Sequence, residues 1–367
     1  MHYETYDKGG ISKLLDSNEY WNKDILPITK QRALSYMHNP RAEANDVLLI
    51  VAYEIDQVIS YIGIIPDEII IDNKENKIGI LSSWWVDPNK AKTGIGAILL
   101  LKAFNYYNNK IFVGPFSDQA GMIYKKLKNI NQLKLSHAYE FKNYYYLKIN
   151  DSRFKQIVPN VIISSLTFCM NIFLRFIQNR WLKNSLVIRD RLLCIEQDYI
   201  DNASQIFIEE NSKNDLFKRD KEYFEWLINY PWVLELKTVS QIRNKYFFSN
   251  DDKKFKISIL KIIHNNIIIG IIVIQQRNER LTLPYAYINN KYIKDVMTQI
   301  VVHFLKSDCK QMLLYNEHII GQIKALHPPL VINKTTRKRE YFISDDYNIQ
   351  NIKDKLFHDG YGDAAFT

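Results

Sequence analysis

The strongest constraint on this chain is an order of segments that occurs twice. In the first half, three strand-like runs follow one another: VLLIVAYE (Val47–Glu54), VISYIGIIPDEIIID (Val58–Asp72) and KIGILSSWWVD (Lys77–Asp87). A helix then covers roughly Gly96 to Tyr107, followed by the strand KIFVG (Lys110–Gly114) and the helix DQAGMIYKKLK (Asp118–Lys128). The second half repeats this with KISILKII (Lys256–Ile263), NIIIGIIVIQQ (Asn266–Gln276), RLTLPYAYI (Arg280–Ile288), a helix over Lys294–Ser307, the strand QMLLY (Gln311–Tyr315) and a helix over His318–Leu326. The runs IFVGP and QMLLY start at Ile111 and Gln311, 200 residues apart. β-Branched runs bounded by Asn, Asp and Gly are strand signals, and self-similarity at a fixed offset is a duplication signal. The expectation is a mixed α/β chain with an internal repeat: residues 1–150 as one unit, 151–185 as a linker helix and 186–367 as a second unit. Residues 1–45 read as polar and helical, anchored by Tyr20, Trp21, Ile25 and Leu26. The strands KLSHAYEF (Lys134–Phe141) and NYYYLKI (Asn143–Ile149) close the first unit, and strands around LVINK and EYFIS close the second.

Composition narrows the function classes. With 47% hydrophobic residues among 367, the chain is long enough for two domains and can bury a large core. The formal charge of +9 is spread out, densest at Arg337-Lys338-Arg339, and no nucleic-acid-binding motif accompanies it, so nucleic acid is not an expected partner. Cys169, Cys194 and Cys309 lie too far apart for a disulfide framework or a zinc pattern. The eight histidines are scattered, with neither H-E-x-x-H nor another paired ligand spacing, so no metal is expected. G-x-S-x-G does not occur, which leaves a serine hydrolase unsupported. MHYETYDKGG lacks a signal-peptide apolar core, and a cytoplasmic location is expected. The run Ile157–Phe176 nearly has the length of a membrane span, but Pro159, Asn160, Ser164, Ser165, Thr167 and Asn171 interrupt it. It reads as a buried or amphipathic linker helix, with membrane contact not expected.

The two copies differ where the third strand meets the helix. The first reads VDPNKAKTGIGAILLLKAF (Val86–Phe104); the second reads NNKYIKDV (Asn289–Val296), without glycines. A helix N-terminus carries unpaired N–H groups and the positive end of the helix dipole, and glycine there lets a phosphate approach the backbone. Lys90 and Lys92 would add charge. A plain strand–Gly–helix turn has the same appearance, so the pair Gly94 and Gly96 admits both readings.

The spacing V-x-P-x5-G-x-G-x2-L-L, here Val86, Pro88, Gly94, Gly96, Leu99 and Leu100, resembles the acyl-CoA-binding motif of the GNAT N-acyltransferase superfamily. That motif commonly has Arg or Gln where this chain has Ala91. A second element, Ser117, Ala120 and Tyr124, resembles the family's N-x2-A-x3-Y, with Ser in place of Asn. The resemblance implies two tandem GNAT-like domains, the second without the coenzyme A loop, and one coenzyme A per chain. It implies that Val86, Lys90, Lys92, Thr93, Gly94, Ile95, Gly96, Ala97, Ser117 and Tyr124 hold the acyl-CoA. Backbone N–H groups at the strand end near Val86 would meet the thioester carbonyl, and Tyr124 would protonate the departing sulfur. For a general base the residues offer His137, less directly Glu140, or none.

The stretches Pro27–Leu49, GIIPD (Gly63–Asp67) and DGYGDAAFT (Asp359–Thr367) further resemble tandem-GNAT sugar-nucleotide N-acyltransferases of bacterial surface-polysaccharide pathways. That implies acetyl- or 3-hydroxybutanoyl-CoA as donor and a dTDP-linked amino-dideoxyhexose as acceptor. Arg41, and less strongly Arg32, are then candidates for the diphosphate. Asn39 or Asp46 would serve sugar hydroxyls, and Trp84, Trp85, Trp226, Tyr230 and Trp232 would stack on the base. The alternatives are an aminoacyl-tRNA-dependent peptidyltransferase of the tandem-GNAT type and a non-catalytic binding protein.

Overall fold

The structure is a computed structural model that describes residues 1–72, 74–145, 160–189, 192–236, 244–344, 347 and 350–367. The first half begins with β1 (His2–Tyr6), α1 (Lys8–Asp16), α2 (Asn18–Asn22) and α3 (Lys30–Met37). An antiparallel meander of β2 (Leu49–Glu54), β3 (Gln57–Ile71) and β4 (Lys74–Val86) follows. Then come α4 (Ile95–Tyr106), β5 (Ile111–Val113), α5 (Asp118–Tyr124) and β6 (Ile130–Lys142). The long α6 (Asn160–Arg189) leads to β7 (Leu192–Gln197), α7 (Asn202–Asn211), α8 (Lys221–Asn229) and the small pair β8 (Leu234–Glu235) and β9 (Asp251–Asp252). The second meander is β10 (Phe255–His264), β11 (Ile267–Arg277) and β12 (Arg280–Ile288), followed by α9 (Ile293–Lys306), β13 (Gln311–Leu314), α10 (Glu317–Ala325), β14 (Val331–Ser344) and α11 (Gln350–Lys353).

Twelve strands form one mixed sheet in the order β1-β2-β3-β4-β5-β14-β6-β13-β12-β11-β10-β7. Both meanders are antiparallel, and each is joined in parallel by the strand after its helix, β4 to β5 and β12 to β13. The closing strands cross over. β14 lies between β5 and β6, pairing Phe342 with Val113 and Glu340 with Leu135, and β6 lies between β14 and β13. The two halves therefore complete one another's sheet. Leu99, Leu100 and Phe104 of α4 pack over β2–β5, and Val296, Ile300 and Phe304 of α9 pack over the second meander. On the other face one aromatic-rich core runs from Ile11 to Phe366 and takes residues from both halves. A buried ion pair ties Asp67 on β3 to Arg219 before α8, with Nη1–Oδ1 3.0 Å and Nη2–Oδ2 2.8 Å.

Several expectations are corrected. The N-terminal region opens with a strand, β1, which pairs with β2 along the sheet edge. Lys134–Phe141 lies within a single long strand, and Asn143–Tyr145 are not strand; the remainder of the expected strand, from Tyr146 to Ile149, falls outside the described residues. LVINK and EYFIS belong to one strand, β14. Of the two readings of the linker helix, buried or amphipathic, the second describes it: only 11% of its apolar stretch lies inside the protein.

Candidate active site

β4 and β5 pair only over Gly79–Leu81 and Ile111–Val113, and then separate. Just beyond the parting, β4 bulges. Its register with β3 steps from Gly63↔Ser82 to Tyr61↔Trp85, and Ser83 takes a left-handed φ of 54°. Past the bulge, Asp87 N donates to Ile59 O on the β3 side. Successive residues of a strand turn their amides to opposite sides, so the Val86 N–H faces the splay. The parting leaves a cavity of about 360 Å³, which Arg32, Ser82, Ser83, Trp84, Phe116, Ser117, Tyr124, Phe248 and Asp363 help to line.

The two glycines of the loop have different duties. Gly94 takes φ +78° and caps α4 without a side-chain hydrogen bond, and a Cβ built on it would meet nothing within 4 Å. The first turn of α4 therefore begins at an open, exposed bend in which Ala91, Lys92, Thr93 and Gly94 all face solvent. Gly96 is buried: a Cβ there would come within 2.8 Å of Val86 and 3.2 Å of Trp84. Its lack of a side chain is what lets the helix N-terminus sit against the end of β4. Ile95 anchors the helix in the core while Ala97 stays exposed. Lys90 is tied to Glu54 with Nζ–Oε2 2.6 Å, which leaves Lys92 as the exposed cation of the loop. These features would admit an anionic group to the backbone: an open glycine bend, an uncapped helix start and a splay that leads inward.

Ser117 caps α5, its Oγ accepting from Ala120 N at 3.3 Å. This holds α5 so that Tyr124, one helix face on, meets Trp84 and Phe116 with ring centroids 5.6 and 5.2 Å away. Burial raises the Tyr124 phenol above its ordinary range, and the charge of Asp363 raises it further. Tyr124 is thus held protonated in the cleft.

Other expected residues lie elsewhere. His137 is exposed on β6, and β14 separates that strand from β5 and its cleft; Glu140 is on the same strand and pairs with Lys142. Arg41 is consumed by Asp220, Nη2–Oδ2 2.5 Å, and by Glu68. Asn39 is buried, donating to Pro66 O at 2.9 Å and accepting from Arg41 N, and Asp46 is paired with Lys77. Trp226 and Trp232 are core residues whose indoles donate to the Ser35 backbone and side chain. Tyr230 stacks on His38, and Trp85 stacks on Phe247. Of the expected rings only Trp84 lines the cleft.

Two charged groups at the cleft floor stand out instead. Arg32, the weaker cation candidate, is buried there, its guanidinium 3.7 Å above the Trp232 ring. Its Nη1 donates to Ser82 Oγ at 3.2 Å and to Ser83 Oγ, and its Nε has no partner. Asp363 comes from the C-terminal segment and accepts from Ser82 Oγ at 2.6 Å. Burial raises its carboxyl, with Ser82 and Arg32 pulling the other way. Sequence reasoning missed Asp363. The available signal was Gly362: it adopts φ +78°, and a Cβ on it would lie 1.7 Å from Gly114 O. Only glycine lets the segment press against the end of β5.

The second copy has the matching splay between β12 and β13, but the chain fills it. Tyr315 N donates to Asp359 Oδ2 and Gly360 N donates to Pro284 O, both at 2.8 Å. Ala286 N, the counterpart of Val86 N at the 200-residue offset, approaches His358 Nδ1 at 3.5 Å. A Cβ on Gly360 would stand 2.6 Å from the Tyr285 ring.

Sequence comparison finds no matching family model and no matching curated protein. Structural comparison does find matches. A GCN5-related N-acetyltransferase from Anabaena variabilis ATCC 29413 superposes with a TM-score of 0.50 at 9% identity, over 93% of this chain and 72% of that one. A conserved protein from Enterococcus faecalis V583, described as a "Probable N-Acyltransferase", gives a TM-score of 0.50 at 9% identity over 92% and 72%. With its mixed sheet, splayed β4/β5 pair and glycine bend before α4, the chain has the fold of the GCN5-related N-acetyltransferases.

Proposed function

We propose that this protein is an acyl-CoA-dependent N-acyltransferase that acylates the amine of a nucleotide-linked amino sugar. The observation that carries the transferase reading is the single open splay, where an uncapped helix start, the free side of Val86, a protonated phenol and a carboxylate converge. Acyl-CoA is the donor substrate. The first turn of α4 and Lys92 hold its diphosphate, and the N–H beside the Ser83 bulge stabilises the charge that grows on the thioester oxygen. Asp363 takes the proton from the acceptor nitrogen as the new C–N bond forms. Tyr124 gives its proton to the sulfur as the C–S bond breaks. The raised Asp363 carboxyl suits a base near neutrality better than an ordinary carboxylate. Arg32 replaces Arg41 as the cation for the acceptor's phosphate.

The sugar-nucleotide acceptor, a dTDP-linked amino-dideoxyhexose, and the acetyl or 3-hydroxybutanoyl donor rest on the sequence resemblance. Support comes from the contribution of the DGYGDAAFT segment to the cleft through Asp363. The test is a panel of amino-sugar nucleotides incubated with acetyl-CoA or 3-hydroxybutanoyl-CoA, following free thiol and product mass. Thiol release coupled to an acylated sugar nucleotide supports the proposal. Acylation of simple amines but no amino-sugar nucleotide removes the acceptor class, and no coenzyme A binding at all removes the transferase.

A further inference from the structure

The long helix α6 lies outside the cleft, and its surface is inconsistent with a plain linker. Residues 160–189 contain no Asp or Glu but include Arg175, Arg180, Lys183 and Arg189. The helix is long and apolar enough to cross a bilayer. One stripe nevertheless holds it along the protein body. Asn171 Oδ1 accepts from Tyr145 N at 2.6 Å and its Nδ2 donates to Tyr145 O; Gln178 Nε2 donates to Asn143 O and Pro329 O, both at 3.1 Å; and Leu174 and Ser185 are buried on the same face. A helix fixed in this way cannot be surrounded by lipid.

Its outer face is the reverse. Leu166, Phe168, Ile172, Phe173 and Phe176 are all exposed, the last two at 64% and 65%. Two of the hydroxyls nearby are already bonded to backbone carbonyls, Ser164 Oγ to Val161 O and Thr167 Oγ1 to Ile163 O, while Ser165 is exposed among the apolar side chains. Arg175, Arg180 and Lys183 are exposed as well. Apolar rings beside cations, with no acidic residue, match the acyl–headgroup boundary of an anionic membrane. They do not match a second copy, which would bring the same positive charges to the contact.

We propose that α6 docks the protein on an anionic lipid bilayer, lying in the interface plane with its Phe-rich face immersed and its cations among the headgroups. The test is co-sedimentation of the full-length protein with vesicles of phosphatidylcholine alone or mixed with phosphatidylglycerol. Binding to the mixed vesicles and little to the neutral ones is expected. Phe173→Asp with Phe176→Asp should weaken it by about tenfold or more per ring, and Arg180→Gln with Lys183→Gln by about fivefold per cation. Both variants should keep the wild-type circular dichroism spectrum and coenzyme A affinity, since none of these residues lines the cleft. Absence of binding to either vesicle, or binding that the Phe variant leaves intact, overturns the proposal. So does sedimentation-velocity evidence of a lipid-free dimer that the Phe variant dissolves, because the occupant is then a second copy.

Discussion

The chain builds the same splay twice and leaves only one of them open. Between β4 and β5 the parting strands face a cavity; between β12 and β13 the Ala286 and Tyr315 amides are taken up by His358 and Asp359, and the Pro284 carbonyl by the Gly360 N–H. The same terminal segment fills the second cleft and then supplies Asp363 to the first. A duplicated fold therefore need not give a duplicated site. One copy keeps the glycine bend and the void, and the other contributes a plug whose continuation places a carboxylate in its partner's cleft.

That contrast can be broken or sharpened by experiment. The largest effect is expected from Asp363→Asn, which should lower turnover by about 10²- to 10⁴-fold if this carboxylate is the base. The same variant should be no less stable than wild type at neutral pH. A carboxyl whose folded-state affinity for protons is raised favours its protonated form on folding, so the ionised group costs stability above that range, and the cost fades as pH falls through the folded value. A thermal melt that drops sharply for Asp363→Asn at pH 7 would assign it a structural role instead. For the wild type, the acid limb of the rate profile should lie above the ordinary carboxylate range.

Next comes Tyr124→Phe, expected to reduce turnover by about a hundredfold with donor affinity nearly unchanged, measured by steady-state kinetics and calorimetry. Equal losses in both would make Tyr124 a packing residue. Asp359→Ala tests the plug. Removing the acceptor of the Tyr315 N–H should cost about 1–3 kcal/mol in denaturant unfolding. Calorimetry should still report one coenzyme A per chain, because the second copy has no glycine bend; two would mean that the plug alone suppresses an ancestral site. The smallest effect is expected from Lys92→Gln, a few-fold loss of donor affinity that shrinks with added salt, as befits an exposed charge.

Much of this was legible in the residues. The β-branched runs bounded by Asn, Asp and Gly and the Gly94–Gly96 bend are local signals, and each corresponds to an element in place. Tyr124 and Ser117 were legible because a cap and a helical spacing of seven residues bring them to one face of α5. His137 was not, because nothing near it announces that β14 will separate its strand from β5. Arg41 and Arg32 are the same residue type on neighbouring turns of chain. Only the positions of Asp220 and Glu68 decide that the first is spent in ion pairs, while Ser82 and Ser83 draw the second to the cleft floor.

By itself, the sequence determined the two meanders, the helices that cover them and, of the two copies, the strand-to-helix junction that carries a glycine bend, since β-branched runs, caps and glycine conformations act over a few residues. The tertiary structure alone decided which splay stays open and which carboxylate enters it. Those outcomes depend on β14 pairing with a strand more than two hundred residues earlier and on the terminal segment that follows it, and long-range strand pairing leaves no mark in the local pattern of either partner.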